Sequence, residues 1–276
     1  MAQEFGQLIH HEYDPFEYIW IDRGAASLSE FITYGGTDFL EERANLWALN
    51  TSTSLRWWDG RPSDVGSSFL FLAYLEEKLG GPTGIRELVS NPSLGGNGIE
   101  SLARNPGPGS TPIGSSMSEI FANFSAAVTL DSAQGAYGFS DLDLVDDCSS
   151  GGFCKGIISA ENDQWSEPWQ SSGHSVEGWG LKSFRFTQGD GYPLSIMVQP
   201  DRFGFEGVVL SKEETSGTWN MERLRIDSSD GSGTGLVHGF GNTTSEVLLL
   251  VWYNSLVDDC DFDFANCGVL PGGNYP

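Results

Sequence analysis

Few side chains in this sequence can exchange a proton near neutral pH or bind zinc through nitrogen or sulfur. Of the four histidines, His10 and His11 stand together near the start, while His174 and His238 lie far downstream. Gln3, Gln7 and His11 recur every fourth residue, which places them on one face of a helix. His10 then points about 100° away, at 3.6 residues per turn. One imidazole beside two amides is a poor set for zinc, which takes imidazole, thiolate or carboxylate ligands. His11 is therefore read as a surface or packing residue before it is read as a ligand.

The four cysteines fall into two local pairs, Cys148/Cys154 and Cys260/Cys267. Three connectivities exist, and the short spacings favour the two local bridges. Disulfides imply an oxidising compartment, yet Met1-Ala2-Gln3-Glu4 does not begin a leader of the charged-then-apolar kind. Two readings stand: a cytosolic protein with free thiols, or a secreted one whose leader lies upstream of Met1.

The formal net charge is −24, and Lys occurs only at 78, 155, 182 and 212. Such a surface repels nucleic acid and anionic membrane, so neither is expected as a partner. The carboxylates form either a solvated surface or ligands for calcium. The candidates for calcium are Asp141 with Asp143, Asp146 with Asp147, Asp258 with Asp259, and Asp261 with Asp263. None has EF-hand spacing, which favours the solvated reading. No apolar run approaches the ~18 residues of a membrane-spanning helix.

Other motifs are weaker. No Gly-x-Ser-x-Gly elbow occurs. Gly231 to Gly235 is glycine-rich but precedes no helix, so it reads as a hairpin loop and not a phosphate cradle. Asn50, Asn123 and Asn242 head N-x-Ser/Thr sequons, which matter in a glycosylating secretory pathway. Trp57, Trp58, Trp165 and Trp169 could line a groove, although large aromatics more often pack.

The elements that must carry these residues change character along the chain. Phe5, Leu8 and Ile9 at i, i+3 and i+4 predict a helix over 2–13. Further helices are expected over 18–34, 38–49, 64–79, 83–89 and 117–129, with a Gly/Pro/Ser loop over 91–116. After an acidic, turn-rich stretch, short alternating runs begin near 180, 193, 207, 219, 235 and 246, as in an antiparallel sandwich. At 276 residues, with 39% hydrophobic content, two domains are the natural expectation. The fold class is read as α+β: a mostly helical lobe over 1–131, an acidic connector over 132–165 and a β-sandwich over 166–276.

Three segments carry a resemblance: Gln3-Glu4-Phe5-Gly6-Gln7, then Trp20 to Ala26 with Arg23-Gly24 at its centre, then Asp64 to Leu75. Together they resemble the gluzincin zinc peptidases, in the secreted bacterial and archaeal branch that joins a helical lobe to a β-sandwich. In that family two His at i and i+4 on one helix bind zinc, the Glu between them activates the metal-bound water, and a Glu on a following helix is the third ligand. The resemblance places Glu4 at the general-base position. It places Gln3 and Gln7 at the two His positions and Arg23 at the third ligand. Ser27 stands where an acidic residue often follows, and Val65 where Tyr is common.

All three ligand positions thus depart from the family pattern. A neutral amide is a weak zinc ligand, and a guanidinium adds positive charge where a dication would sit. No cofactor is therefore expected, with zinc bound only if the family activity is retained. Arg23 is expected to pair with Glu4 as a metal-free tie between helices. The family also carries a sheet lobe ahead of the zinc helix, so the resemblance implies that the native chain extends upstream of Met1 and supports the secreted reading. The function implied is that of an extracellular or cell-surface pseudo-peptidase acting by binding a protein or peptide. The alternatives are an active zinc endopeptidase, and an adhesive or structural module working through the sandwich.

Overall fold

The structure is a computed structural model that describes residues 2–132, 135–146, 148–156, 159–160 and 174–254. Its class is mixed α+β. Seven helices come first: α1 Ala2–Tyr13, α2 Ile19–Tyr34, α3 Asp38–Ala48, α4 Pro62–Lys78, α5 Pro82–Val89, α6 Gly95–Arg104 and α7 Met117–Leu130. The strands follow: β1 Leu144–Val145, β2 Phe153–Cys154, β3 Ser159–Ala160, β4 Leu181–Thr187, β5 Leu194–Val198, β6 Phe205–Glu213, β7 Trp219–Arg223, β8 Arg225–Ile226, β9 Gly233–Val237 and β10 Thr244–Tyr253. The described residues separate into two compact units, one ending at Gly156 and the other lying beyond it. No helix among them is long and apolar enough to cross a membrane.

In the helical unit α4 is central. Phe69, Leu70, Phe71, Leu72, Tyr74 and Leu75 are all fully buried, so this helix is apolar around most of its circumference, as a core helix must be. Its start is fixed by Pro62 in the first turn and by the Asp64 carboxylate, which accepts the backbone N–H of Arg61 at 2.9 Å. Gly66 lets α3 come close, since a β-carbon there would stand 2.0 Å from the Arg43 carbonyl oxygen. Around α4 the aromatic rings interlock. Phe71 meets Trp20 of α2 at 5.8 Å and Phe124 of α7 at 5.0 Å, and Phe124 stacks on Trp47 of α3.

α6 lies within the stretch read as loop. Gly95, Gly96 and Gly98 dilute its propensity, and its N-terminus is satisfied from a distance: the Glu17 carboxylate accepts the Gly95 N–H at 2.9 Å. A cap from 78 residues away leaves no local signature.

Residues 135–146 and 148–156 fold against the helices. The Asp131 carboxylate, at the left-handed end of α7, accepts the N–H groups of Phe139 and Leu144. Asn45 of α3 binds the carbonyl of Gly152 and the N–H of Cys154. Phe153 packs on Phe69 at 5.6 Å, and the N–H of Gly156 reaches the carbonyl of Val128. The short loop from Cys148 to Cys154 is closed at disulfide distance, with a Cα–Cα separation of 5.4 Å. The expected Cys260–Cys267 pair lies outside the described residues.

The second unit has two sheets, ordered β3-β4-β10-β6-β7 and β5-β9-β8. β10 is the central strand of the first, antiparallel to both β4 and β6. Its odd residues Val247, Leu249 and Val251 join Phe184, Phe186 and Val209 against Ile196 and Val237 of the second sheet. The even residues Leu248, Leu250 and Trp252 are also buried, which explains why this strand reads as an unbroken apolar run. The chain crosses between sheets at Leu224, which separates β7 from β8 and turns into the shared core.

Candidate functional site

The residues singled out for chemistry lie on α1 and α2, which form an antiparallel hairpin. Gln3 Nε2 donates to Ser27 Oγ at 3.3 Å, Ser29 Oγ donates to the Ala2 carbonyl at 3.1 Å, and His10 Nδ1 stands 3.2 Å from Asp22 Oδ1. Between these pairs the helices approach closely at Gly6, where a β-carbon would lie 2.5 Å from Ser29 Oγ and 3.4 Å from Ala26 Cα. The α1 residues facing α2 are therefore Gln3, Gly6, Gln7 and His10, a three-and-four spacing that forms one seam.

This seam leaves the apolar residues of α1 on the outside. Phe5 and Leu8 are 64% and 66% exposed and Tyr13 is exposed as well, whereas His10 is 2% exposed. The apolar triad at i, i+3 and i+4 forms the outer face, and the polar side of the helix packs inward. The physical reason lies in α2, whose matching surface is made of Ala26, Ser27 and Ser29. Small hydroxylated residues offer hydrogen bonds and close backbone approach, and they leave no pocket for Phe or Leu.

His10, and not His11, is the imidazole drawn into this interface. Seven residues from Gln3, it lies within about 20° of it around the helix, at 100° per residue. His10 Nδ1 and Asp22 Oδ1 stand close, but the ring nitrogens lack hydrogen-bond alignment. The Gln7 amide nitrogen is likewise buried without a partner. His11 is exposed and borders an open cleft of about 200 Å³ that Asp14, Glu17, Asp22 and Arg23 also line. Burial pushes the Glu17 carboxyl above its ordinary value, partly offset by the N–H groups of Tyr18 and Gly95 that it accepts.

Arg23 borders the cleft at the His10 end of the hairpin, whereas Glu4 is exposed near the opposite end. Six residues of α1 separate Glu4 from the His10 level, about 9 Å at 1.5 Å per residue. The expected Arg23–Glu4 tie is not formed among the described residues, because the antiparallel pairing of Gln3 with Ser27 and His10 with Asp22 sets the two apart.

Zinc does not fit these positions. Gln3 and Gln7 offer only neutral amides, which face the seam with Gln3 Nε2 donating to Ser27, and Arg23 brings a cation to the cleft. Among the described residues no three His, Cys, Asp or Glu side chains converge as a metal site. The acidic stretch that might hold calcium is dispersed in the same way. Asp141 and Asp143 are exposed, Asp146 pairs with Lys155 at 3.0 Å, and Asp147 and the pairs at 258–263 lie outside the described residues.

What remains is a histidine–carboxylate pair inside a helix seam, beside a cleft with three carboxylates and one guanidinium. Such a set can hold a charged ligand. The charges are of mixed sign, and Asp22 belongs both to the seam and to the cleft wall. A scan against protein-family models finds no match for this chain, and a comparison with curated proteins finds none either.

Proposed function

We propose that this protein acts by binding and not by peptide hydrolysis, as an extracellular protein built on a zinc-peptidase-like helical lobe joined to a β-sandwich domain. The observation that carries this reading is the Gln3–Ser27 hydrogen bond beside the Gly6 contact. The resemblance would put zinc ligands at Gln3 and Gln7, and both residues are instead part of the packing between α1 and α2. The Gln3 Nε2 that donates to a serine on the neighbouring helix ties that helix pair together, and the neutral amide it belongs to is a poor zinc ligand. The local bridge from Cys148 to Cys154 supports an oxidising compartment. The charge of −24 favours a cationic peptide or protein segment as the bound partner.

Metal analysis of the purified chain, combined with casein hydrolysis, tests the reading. The expected result is less than one-tenth of an equivalent of zinc and no cleavage above a buffer control. Stoichiometric zinc with cleavage that Glu4→Gln abolishes would overturn it.

A further inference from the structure

We propose that Asn242 is an acceptor for an N-linked glycan, and that the fold admits a glycan there while refusing one at Asn123. Three sequons begin at Asn50, Asn123 and Asn242, and they are equivalent as motifs. Their surroundings differ.

Asn242 sits in the turn joining β9 to β10. The turn is held by its backbone: the N–H groups of Asn242, Thr243 and Thr244 all converge on the Gly239 carbonyl, at 2.9, 2.9 and 3.0 Å. Its reversals fall at Gly239 and Gly241, both with positive φ. The Asn242 side chain is exposed, and no hydrogen bond involves its amide among the described residues. Thr244, two positions on, begins β10 and donates to the His238 carbonyl at 3.3 Å. A sugar on Asn242 Nδ2 projects into solvent without breaking any contact that shapes the turn.

Asn123 is the opposite case. It lies inside α7, and its amide donates to the carbonyls of Ile113 and Glu119, each at 3.0 Å. A glycan takes the place of one amide hydrogen, so it would break one of these bonds. It would also place a large polar group beside Ala122 and Phe124, which are buried. Asn50 is exposed, but its amide donates to Thr53 Oγ1 at 3.2 Å and its carbonyl accepts from Ser52 Oγ at 2.7 Å. A glycan there sits on an amide that already takes part in the turn that ends α3.

The chemistry is a glycosyl transfer. The Asn242 Nδ2 attacks the anomeric carbon of a lipid-diphosphate-linked oligosaccharide. A C–N bond forms, the bond from that carbon to the diphosphate oxygen breaks, and the lipid diphosphate leaves with the electron pair. The transferase's base takes the amide proton. In nature the modification depends on the secretory location proposed above, whereas acceptor competence does not.

The test supplies the location. The full chain is expressed behind a secretion leader in a glycosylating eukaryotic host together with a reporter glycoprotein, and secreted and retained material are analysed alike. Peptide mass spectrometry after enzymatic glycan release reads the acceptor as an Asn-to-Asp conversion. Conversion is expected at 242, persisting in Asn50→Gln and Asn123→Gln and lost in Asn242→Gln. A bare residue 242 beside a glycosylated reporter would overturn the assignment, as would conversion at 50 or 123 with 242 bare. A glycosylated Asn242 in this host, with the native chain found in the cytosol, would refute the extracellular reading and leave the acceptor assignment standing.

Discussion

α1 and α4 are both helices of one compact unit, yet they solve opposite packing problems. α4 is buried nearly all round by aromatic and aliphatic side chains, with Phe71 set between Trp20 and Phe124. α1 buries a single residue, His10, and presents its apolar face outward. Burial of apolar surface drives the first arrangement. The second rests on close backbone approach, two side-chain hydrogen bonds and the His10–Asp22 contact. Each such term contributes only about 1 kcal/mol. The contrast teaches that α4 defines the core of this unit, while α1 is attached to it by weak and specific contacts.

The largest test of that contrast is Phe71→Ala. Truncating a ring in the middle of the aromatic cluster costs about 3–5 kcal/mol, and denaturant unfolding should show the whole helical unit lose stability. A loss under about 1 kcal/mol would mean that the cluster does not support the core. The next test strikes the seam. Gly6→Leu forces a branched side chain against Ser29 and costs about 1–3 kcal/mol, confined to α1. Hydrogen exchange should show residues 2–13 lose protection while residues 66–75 keep theirs. Equal loss in both segments would erase the distinction.

A smaller effect is expected from His10→Leu. The imidazole is buried without aligned hydrogen bonds, and Asp22 stays partly solvated when its partner is removed. Replacing a buried polar ring that makes no hydrogen bond with an apolar side chain of similar size removes a desolvation cost, so the change should stay within about 1 kcal/mol and favour the variant. A loss above about 2 kcal/mol would show that the His10–Asp22 contact, and not the hydroxyl-lined approach, holds α1 in place.

The smallest effect concerns Glu76, a buried carboxyl at the end of α4. Burial raises the Glu76 carboxyl above its ordinary value of 4.5, and Asp141 and Glu77 push it in the same direction. The folded state therefore holds this proton to higher pH than the unfolded state does. The resulting stabilisation is full below 4.5 and fades as pH rises through the folded pKa. Glu76→Gln keeps the neutral form at every pH. It should gain less than about 1 kcal/mol at pH 7, and the gain should vanish near pH 4. Thermal melts across that range give the sign directly.

Much of this fold can be read from the chain. The spacing of Phe69, Leu72 and Leu75 predicts α4, Gly35-Gly36 marks the end of α2, and the run from Val247 to Tyr253 predicts the central strand β10. These features persist because they are local: periodicity, caps and turns act within a few residues of where they are read. Where an element depends on a distant partner the local reading fails. α6 hides among glycines because Glu17 caps it, and residues 135–146 and 148–156 pack on helices through Asn45 and Phe153.

The candidate site divides along the same line. The sequence by itself determined that Gln3, Gln7 and Arg23 are a poor zinc set, because ligand chemistry belongs to residue type. It also determined the strongly acidic charge and the short spacing from Cys148 to Cys154. Only the tertiary structure decided which side of α1 faces inward. Periodicity predicts that a helix will bury its apolar face, and that holds when the opposing surface can receive bulky side chains. Here α2 offers alanine and serine, so the polar residues of α1 meet it. His10 joins Asp22, and Arg23 is left at the cleft far from Glu4.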